Sequence, residues 1–160
     1  ADAVSAGVYQ GKVMDEVFQK MEAGNAAVAT YYAGDYLVML EANPDLKYVV
    51  PEEGSNWFVD AMCILKDAKN VEEAHEWINF MASTEANLQN MDFIWYASPN
   101  SEALEQYPAW YEEQYGEPLD MGLYEIMAAP QEVLDRCTLY ENLPADILTL
   151  YNDLWTQLGI

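Results

Sequence analysis

Basic side chains are scarce. Six Lys and Arg stand against 28 Asp and Glu, a formal net charge of −22 over 160 residues. Such a surface repels a phosphate backbone, which argues against a nucleic-acid partner, and it concentrates small cations. An acidic surface that only maintains solubility is the alternative reading. Histidine occurs once, as His75, between the apolar stripe and the acidic face of a regular helical pattern, where a partly exposed helix residue is expected rather than a general base. No GxSxG elbow, GxGxxG turn, P-loop or HExxH pair occurs, so no catalytic residue is assigned. A carboxylate-pair hydrolase is the one enzyme class the composition allows, and nothing selects a pair. The acids do not form a calcium-loop pattern, so neither a metal nor a cofactor is expected. No apolar run reaches the length of about 20 residues needed to cross a bilayer, and no basic segment followed by an apolar one opens the chain. Of the two cysteines, Cys63 and Cys137 are far apart and flanked by apolar residues. They fit neither CxxC nor a zinc knuckle and read as two buried free thiols, with a disulfide between them as the alternative.

What the chain does have is apolar content, 52% with 13% aromatic, ample for a packed core in one domain. Residues 1–11 are small and aperiodic and read as a linker or cut edge. From Lys12, the spacing of Val13, Val17, Phe18 and Met21 predicts a helix stopped at Gly24-Asn25. Ala26–Tyr32 reads as a short buried strand, Gly34-Asp35 as a turn and N-cap, and Tyr36–Ala42 as a helix closed by Asn43-Pro44-Asp45. Tyr48–Val50 and Trp57–Leu65 read as strands. Val71, Ala74, Ile78 and Met81 predict an amphipathic helix, and Thr84 caps the next one, through about Phe93. Ser101–Met127 reads as short helical pieces interrupted at Pro108, Gly116, Pro118 and Gly122. A further helical turn or two at Pro130–Arg136, a strand at Cys137–Tyr140 and a final helix with Ile147, Leu150, Leu154 and Leu158 on its buried side complete the pattern. Helices alternating with short strands give an α/β layer arrangement.

Aromatic residues recur beside acids and chain breaks. Tyr31-Tyr32 precedes a Gly-containing turn, Trp57-Phe58 precedes Asp60, and Tyr96 precedes Ser98-Pro99-Asn100. In α/β folds ligands bind at the carboxyl ends of strands, where such aromatics are placed. Taken singly, each also reads as a core or rim aromatic. On an extended strand Phe58 and Asp60 share one face and Trp57 points the other way. A ring wall and an anion would then meet the same end of a ligand.

The ordered set Met14-Asp15-Glu16-Val17-Phe18, Tyr32-Ala33-Gly34-Asp35, Tyr48-Val49-Val50-Pro51-Glu52-Glu53-Gly54, Val59-Asp60-Ala61-Met62, Ala68-Lys69-Asn70, Ile78-Asn79-Phe80-Met81, Tyr96-Ala97-Ser98-Pro99-Asn100 and Tyr151-Asn152-Asp153-Leu154-Trp155 resembles the C-terminal half of the spermidine/putrescine-binding proteins of bacterial polyamine ABC transporters. The resemblance implies a partial periplasmic-binding-protein-like (type II) α/β fold without the N-terminal half, closing on its ligand by a hinge motion. It implies residues 12–54 and 140–160 in one lobe and residues 55–139 in the other. It also implies a polyamine with its methylenes on aromatic rings and its ammonium groups on carboxylates. Carried over residue by residue, Tyr32 stands where the family usually has Trp, Asp60 is the acid of the Trp-x-Asp motif with Phe58 in the Trp position, and Trp57 is its neighbour. Tyr96 matches the tyrosine before Pro-Asn, and Tyr140 aligns loosely with a polar residue near the last hinge crossing. The implied partners are a polyamine, the membrane permease of an ABC importer and the N-terminal half of the same protein. A homodimer of the fragment is a further implication, and the implied location is extracytoplasmic, in the periplasm or at the outer face of the cell membrane. Another small cationic or neutral solute, or an acidic interaction module without a small ligand, are the alternatives.

Overall fold

The helices take up most of the regular structure, because their apolar residues recur at three and four positions and each helix satisfies its own backbone. A computed structural model describes residues 2–158. In chain order the elements are α1 (Asp2–Ser5), α2 (Glu16–Glu22), α3 (Ala33–Met39), β1 (Asn56–Trp57), α4 (Val71–Met81), α5 (Thr84–Ile94), α6 (Ser101–Tyr115), α7 (Met121–Met127), α8 (Gln131–Leu134), β2 (Thr138–Leu139) and α9 (Ala145–Gln157). The aperiodic opening segment thus holds one helical turn. Helix α2 starts at Glu16, later than its apolar spacing suggests, and ends as expected at Gly24 (φ +67°), where Asn25 N donates to Lys20 O and Gly24 N to Met21 O.

The strands are where the structure departs most from the sequence pattern. Ala26–Tyr32 and Tyr48–Val50 form no strand, only Trp57 of Trp57–Leu65 is in a strand, so Phe58 and Asp60 do not share a strand face, and Cys137–Tyr140 contracts to β2. β1 and β2 pair in parallel, Asn56 with Thr138 and Trp57 with Leu139. A β-prone segment becomes a strand only when a neighbour takes its hydrogen bonds, and an isolated two-stranded pair is marginal in water. Among the described residues, these segments have only each other.

Helix α5 is capped by Ser83, one residue before the expected Thr84, with Ser83 Oγ accepting from Ala86 N. Gly34 and Asp35 lie inside the first turn of α3, whose N-cap is Tyr32. Pro108 does not interrupt its segment, and α6 runs through it for 15 residues. Proline deletes the amide that would bond the carbonyl four residues back, here that of Leu104. The Tyr124 hydroxyl of α7 takes its place, donating to Leu104 O at 2.9 Å. Tyr124→Phe is therefore expected to destabilise the chain by about 1–2 kcal/mol, read as a lower denaturant midpoint at unchanged slope. An unchanged midpoint would show that water serves Leu104 equally well.

The core is built by α3, α5, α6 and α7: Leu37, Leu88, Met91, Ala103, Tyr107, Leu119 and Met127 are buried in one cluster. Asn87 ties the neighbouring loops together, donating to Met81 O and Ser83 O at 2.9 and 2.8 Å and accepting from Ser98 Oγ at 2.6 Å. The rest of the chain is thinly covered. Its accessible surface is 12291 Å², where a compact monomer of 18.2 kDa exposes about 8,100 Å². The expected buried side of α9 is accordingly open, with Ile147, Leu150 and Leu154 between 43% and 55% exposed. The α4 stripe is less open, its Ala74, Ile78 and Met81 being partly covered while Trp77 and Phe80 face outward. His75 is exposed on α4, as its place between stripe and acidic face suggests. The cysteines are free, but Cys63 is exposed and Cys137 half-buried. The apolar flanks of Cys63 do not bury it because the Trp57–Leu65 segment has no sheet around it.

Candidate functional site

Three of the sequence-selected aromatics converge. Tyr32 caps α3 in extended conformation, and its ring meets the ring of Phe58 edge to face at 5.5 Å and 74°. This T-shaped arrangement suits the ring quadrupoles. Tyr31 stands 5.3 Å from Tyr32 at 49°. Tyr96, just beyond the end of α5, donates its hydroxyl to Asp35 Oδ2 at 2.9 Å. The Tyr96 ring covers Gly34 so closely that a Cβ there would lie 2.7 Å from Cζ and nearer still to Cδ2 and Cε2. Only glycine lets the ring lie flat on that turn of α3.

Phe58 reaches this group because β1 ends at Trp57. In the parallel pair, Phe58 and Tyr140 leave by the same, carboxyl end, where α/β folds gather their ligand contacts. Asp60 follows two residues after Phe58 and is exposed. Trp57 sits in β1, 40% exposed, and Tyr140 follows β2, 72% exposed. Among the described residues, no ring pairing joins either of them to the Tyr32–Phe58 group.

Two further residues belong to the arrangement. Asp35, which the sequence reading used as a turn and cap, presents its carboxylate to Tyr96. Gly34 supplies the hollow for the Tyr96 ring. The available signal was spacing: with Tyr32 as N-cap, Asp35 is the third residue of the helix, a position that lies back beside the cap. The hydroxyl of Tyr96 is held protonated well above its ordinary range, first by burial and then by its bond to Asp35. Tyr31 is shifted the same way, first by burial and then by the charges of Asp35 and Asp15. Asp35 is thus met by a neutral phenol that donates to one of its two carboxyl oxygens.

Flat ring faces beside a carboxylate suit a desolvated ammonium group, worth roughly 0.5–2 kcal/mol over one ring. The wall is open. Two hollows among the described residues lie elsewhere, one lined by Met21, Asn43 and Lys47 among others, the other by Met62, Cys63 and Trp77 among others. No group of three or more acids, His or Cys able to hold a metal occurs among the described residues.

Residues 1–113 match the family described as bacterial extracellular solute-binding protein. Among curated proteins, the chain is similar to the putrescine-binding periplasmic protein SpuD of Pseudomonas aeruginosa (strain UCBPP-PA14), 29% identical over 141 residues that make up 84% of this chain and 36% of that protein. Among solved structures, it is similar to one assigned to a spermidine/putrescine ABC transporter from Listeria monocytogenes, 36% identical with a TM-score of 0.70 over 91% of this chain and 42% of that one. The chain therefore spans less than half the length of these relatives. Its architecture is part of a periplasmic-binding-protein fold, helix-rich and with few strands among the described residues. No helix of the described residues is long and apolar enough to cross a membrane. The family match covers most of the chain and the ordered aromatic and acidic residues fall in the same fold, so this chain belongs to the bacterial extracellular solute-binding protein family.

Proposed function

We propose that this chain carries part of the ligand cleft of a polyamine-capture protein that serves an ABC importer outside the cytoplasm, and that it is not an enzyme. The observation that carries the reading is the wall formed by Tyr32, Phe58 and Tyr96 with Asp35 against it and Asp60 following Phe58. Rings take the methylene chain and carboxylates take the ammonium ends. Trp57, in β1, and Tyr140, directly after β2, stand at the same carboxyl end of the strand pair and are proposed as further contacts. The names of the relatives, putrescine-binding and spermidine/putrescine, support an amine over a sugar. The net charge of −22 favours the encounter with a cation.

The proposed lobes are residues 12–54 with 140–160, and residues 55–139, in contact where α3 packs on α7. The open faces of α4 and α9 would be covered by a further part of the same polypeptide, and the membrane permease is the partner that receives the ligand. By itself the 160-residue chain is expected to bind putrescine or spermidine weakly or not at all and to self-associate through those faces. A monomeric chain with micromolar affinity in calorimetry would count against this division of the cleft.

Thermal shift of the complete protein with putrescine, spermidine and a panel of sugars tests the whole reading. An amine-only rise supports capture, a sugar response points to another solute, and flat curves favour an acidic interaction module. Asp60→Asn in the complete protein keeps the shape and removes the charge. It is expected to weaken amine binding on the order of 10- to 100-fold in calorimetry, the equivalent of one charge-assisted hydrogen bond. Unaltered affinity would remove Asp60 from the site.

A further inference from the structure

Among the described residues, Trp95 is the non-glycine residue with positive φ, at φ 55° and ψ 38° in the left-handed region. For a bulky side chain this is a genuine outlier, and such outliers persist where the surroundings hold them. The chain uses glycine for the same task elsewhere: Gly24 follows α2 at φ +67° and Gly116 ends α6 at φ +74°. At the end of α5 it uses the largest side chain instead. Its amide closes the helix onto Met91 O at 2.9 Å, as any residue's would. What a glycine could not supply is the indole, which packs against the buried cluster that contains Leu37 and Met91. Directly after it comes Tyr96, with its ring on Gly34 and its hydroxyl on Asp35.

We infer that Trp95 is a positioning residue: its core-anchored indole locks the left-handed turn that lays the Tyr96 ring over Gly34 and its hydroxyl on Asp35. A glycine at this position would populate both signs of φ and let Tyr96 swing off the wall. The packing that holds the core together thereby also fixes one face of the ligand wall.

The first test needs no ligand. With 3-fluorotyrosine at position 96 of the complete protein, fluorine NMR should give one narrow resonance. Trp95→Gly should broaden or split it while a label at Tyr124 stays sharp, and Trp95→Phe, which keeps an anchored ring, should restore it. An unchanged resonance at position 96 in Trp95→Gly overturns the inference. If Trp95→Gly does not fold, Trp95→His tolerates the left-handed region and keeps a smaller ring. It should then show a shifted, broader signal, and an unchanged one again overturns the inference.

The second test rests on the polyamine reading and uses the complete protein. Trp95→Gly should weaken putrescine or spermidine binding about tenfold, with no further loss in a Tyr96→Ala background. Equal loss in both backgrounds would show that Trp95 does not act through Tyr96. If the unaltered protein binds neither amine, the functional proposal fails while the fluorine signal still decides the role of Trp95.

Discussion

Gly34→Ala is expected to leave the fold standing and to empty one side of the ligand wall. Two effects oppose each other at this position. Gly34 has ordinary helical backbone inside α3, so alanine should stabilise the helix by roughly 0.5–1 kcal/mol. The added methyl, however, would meet Cδ2, Cε2 and Cζ of Tyr96 inside contact distance. Those atoms belong to a side chain that can rotate, so the ring gives way and the backbone does not. Rotation breaks the bond from the Tyr96 hydroxyl to Asp35, a loss of about 1.5–3 kcal/mol for a bond to a charged group. The two terms offset only in part, leaving a net loss of about 0.5–2.5 kcal/mol, and the denaturant midpoint should fall accordingly. Binding has no such compensation. The complete protein should lose amine affinity on the order of 10- to 100-fold, because a ring face and an oriented carboxylate disappear together. A variant that is more stable and binds normally would show that the ring does not lie on Gly34.

Tyr107→Ala should act on the fold itself. Tyr107 is fully buried, stacked 5.9 Å from Trp110 at 20° and 6.3 Å from Tyr124 at 19°, with Tyr111 at 6.1 Å. Truncating a buried aromatic costs about 3–5 kcal/mol, the lost transfer energy plus the cavity. Whole domains have only about 5–15 kcal/mol, and the buried cluster of this chain is small. Its cooperative transition should therefore shift to much lower denaturant or vanish. Tyr107→Phe separates packing from polarity. The Tyr107 hydroxyl is 3.4 Å from Asp92 Oδ1, a long bond, while Tyr115 donates to Oδ2 of the same carboxylate at 2.8 Å. Removing the weaker bond should cost less than about 1 kcal/mol. Equal costs for Ala and Phe would move the centre of the core away from the Tyr107 stack. Because Leu37 of α3 belongs to the same cluster, a collapse here would also release the helix that carries Tyr32 and Asp35.

The helices were legible in the chain because their evidence is local. The three- and four-residue spacing of Ala74, Ile78 and Met81 and the breaker at Ser98-Pro99-Asn100 need no distant partner, and both appear where expected. Pro108 shows the limit of that logic. A proline forbids one backbone bond, but whether the helix continues depends on who takes the freed carbonyl, and here that is Tyr124, distant in sequence. The strand readings failed for a related reason. Val28, Val49 and Leu65 carry β-prone sequence, yet a strand exists only with a neighbour to receive its hydrogen bonds.

By itself, the sequence determined the acidic surface, the helical framework, and the aromatic residues Tyr32, Phe58 and Tyr96 beside chain breaks. These follow from composition and from spacing over a few residues. The tertiary structure alone decided that Tyr96 lies on Gly34, that Asp35 rather than a turn receives its hydroxyl, and that Trp95 adopts a glycine-like turn. Each of those joins segments about sixty positions apart or depends on core packing. No local periodicity encodes such a meeting, because its energy exists only once α3 and α5 share one core.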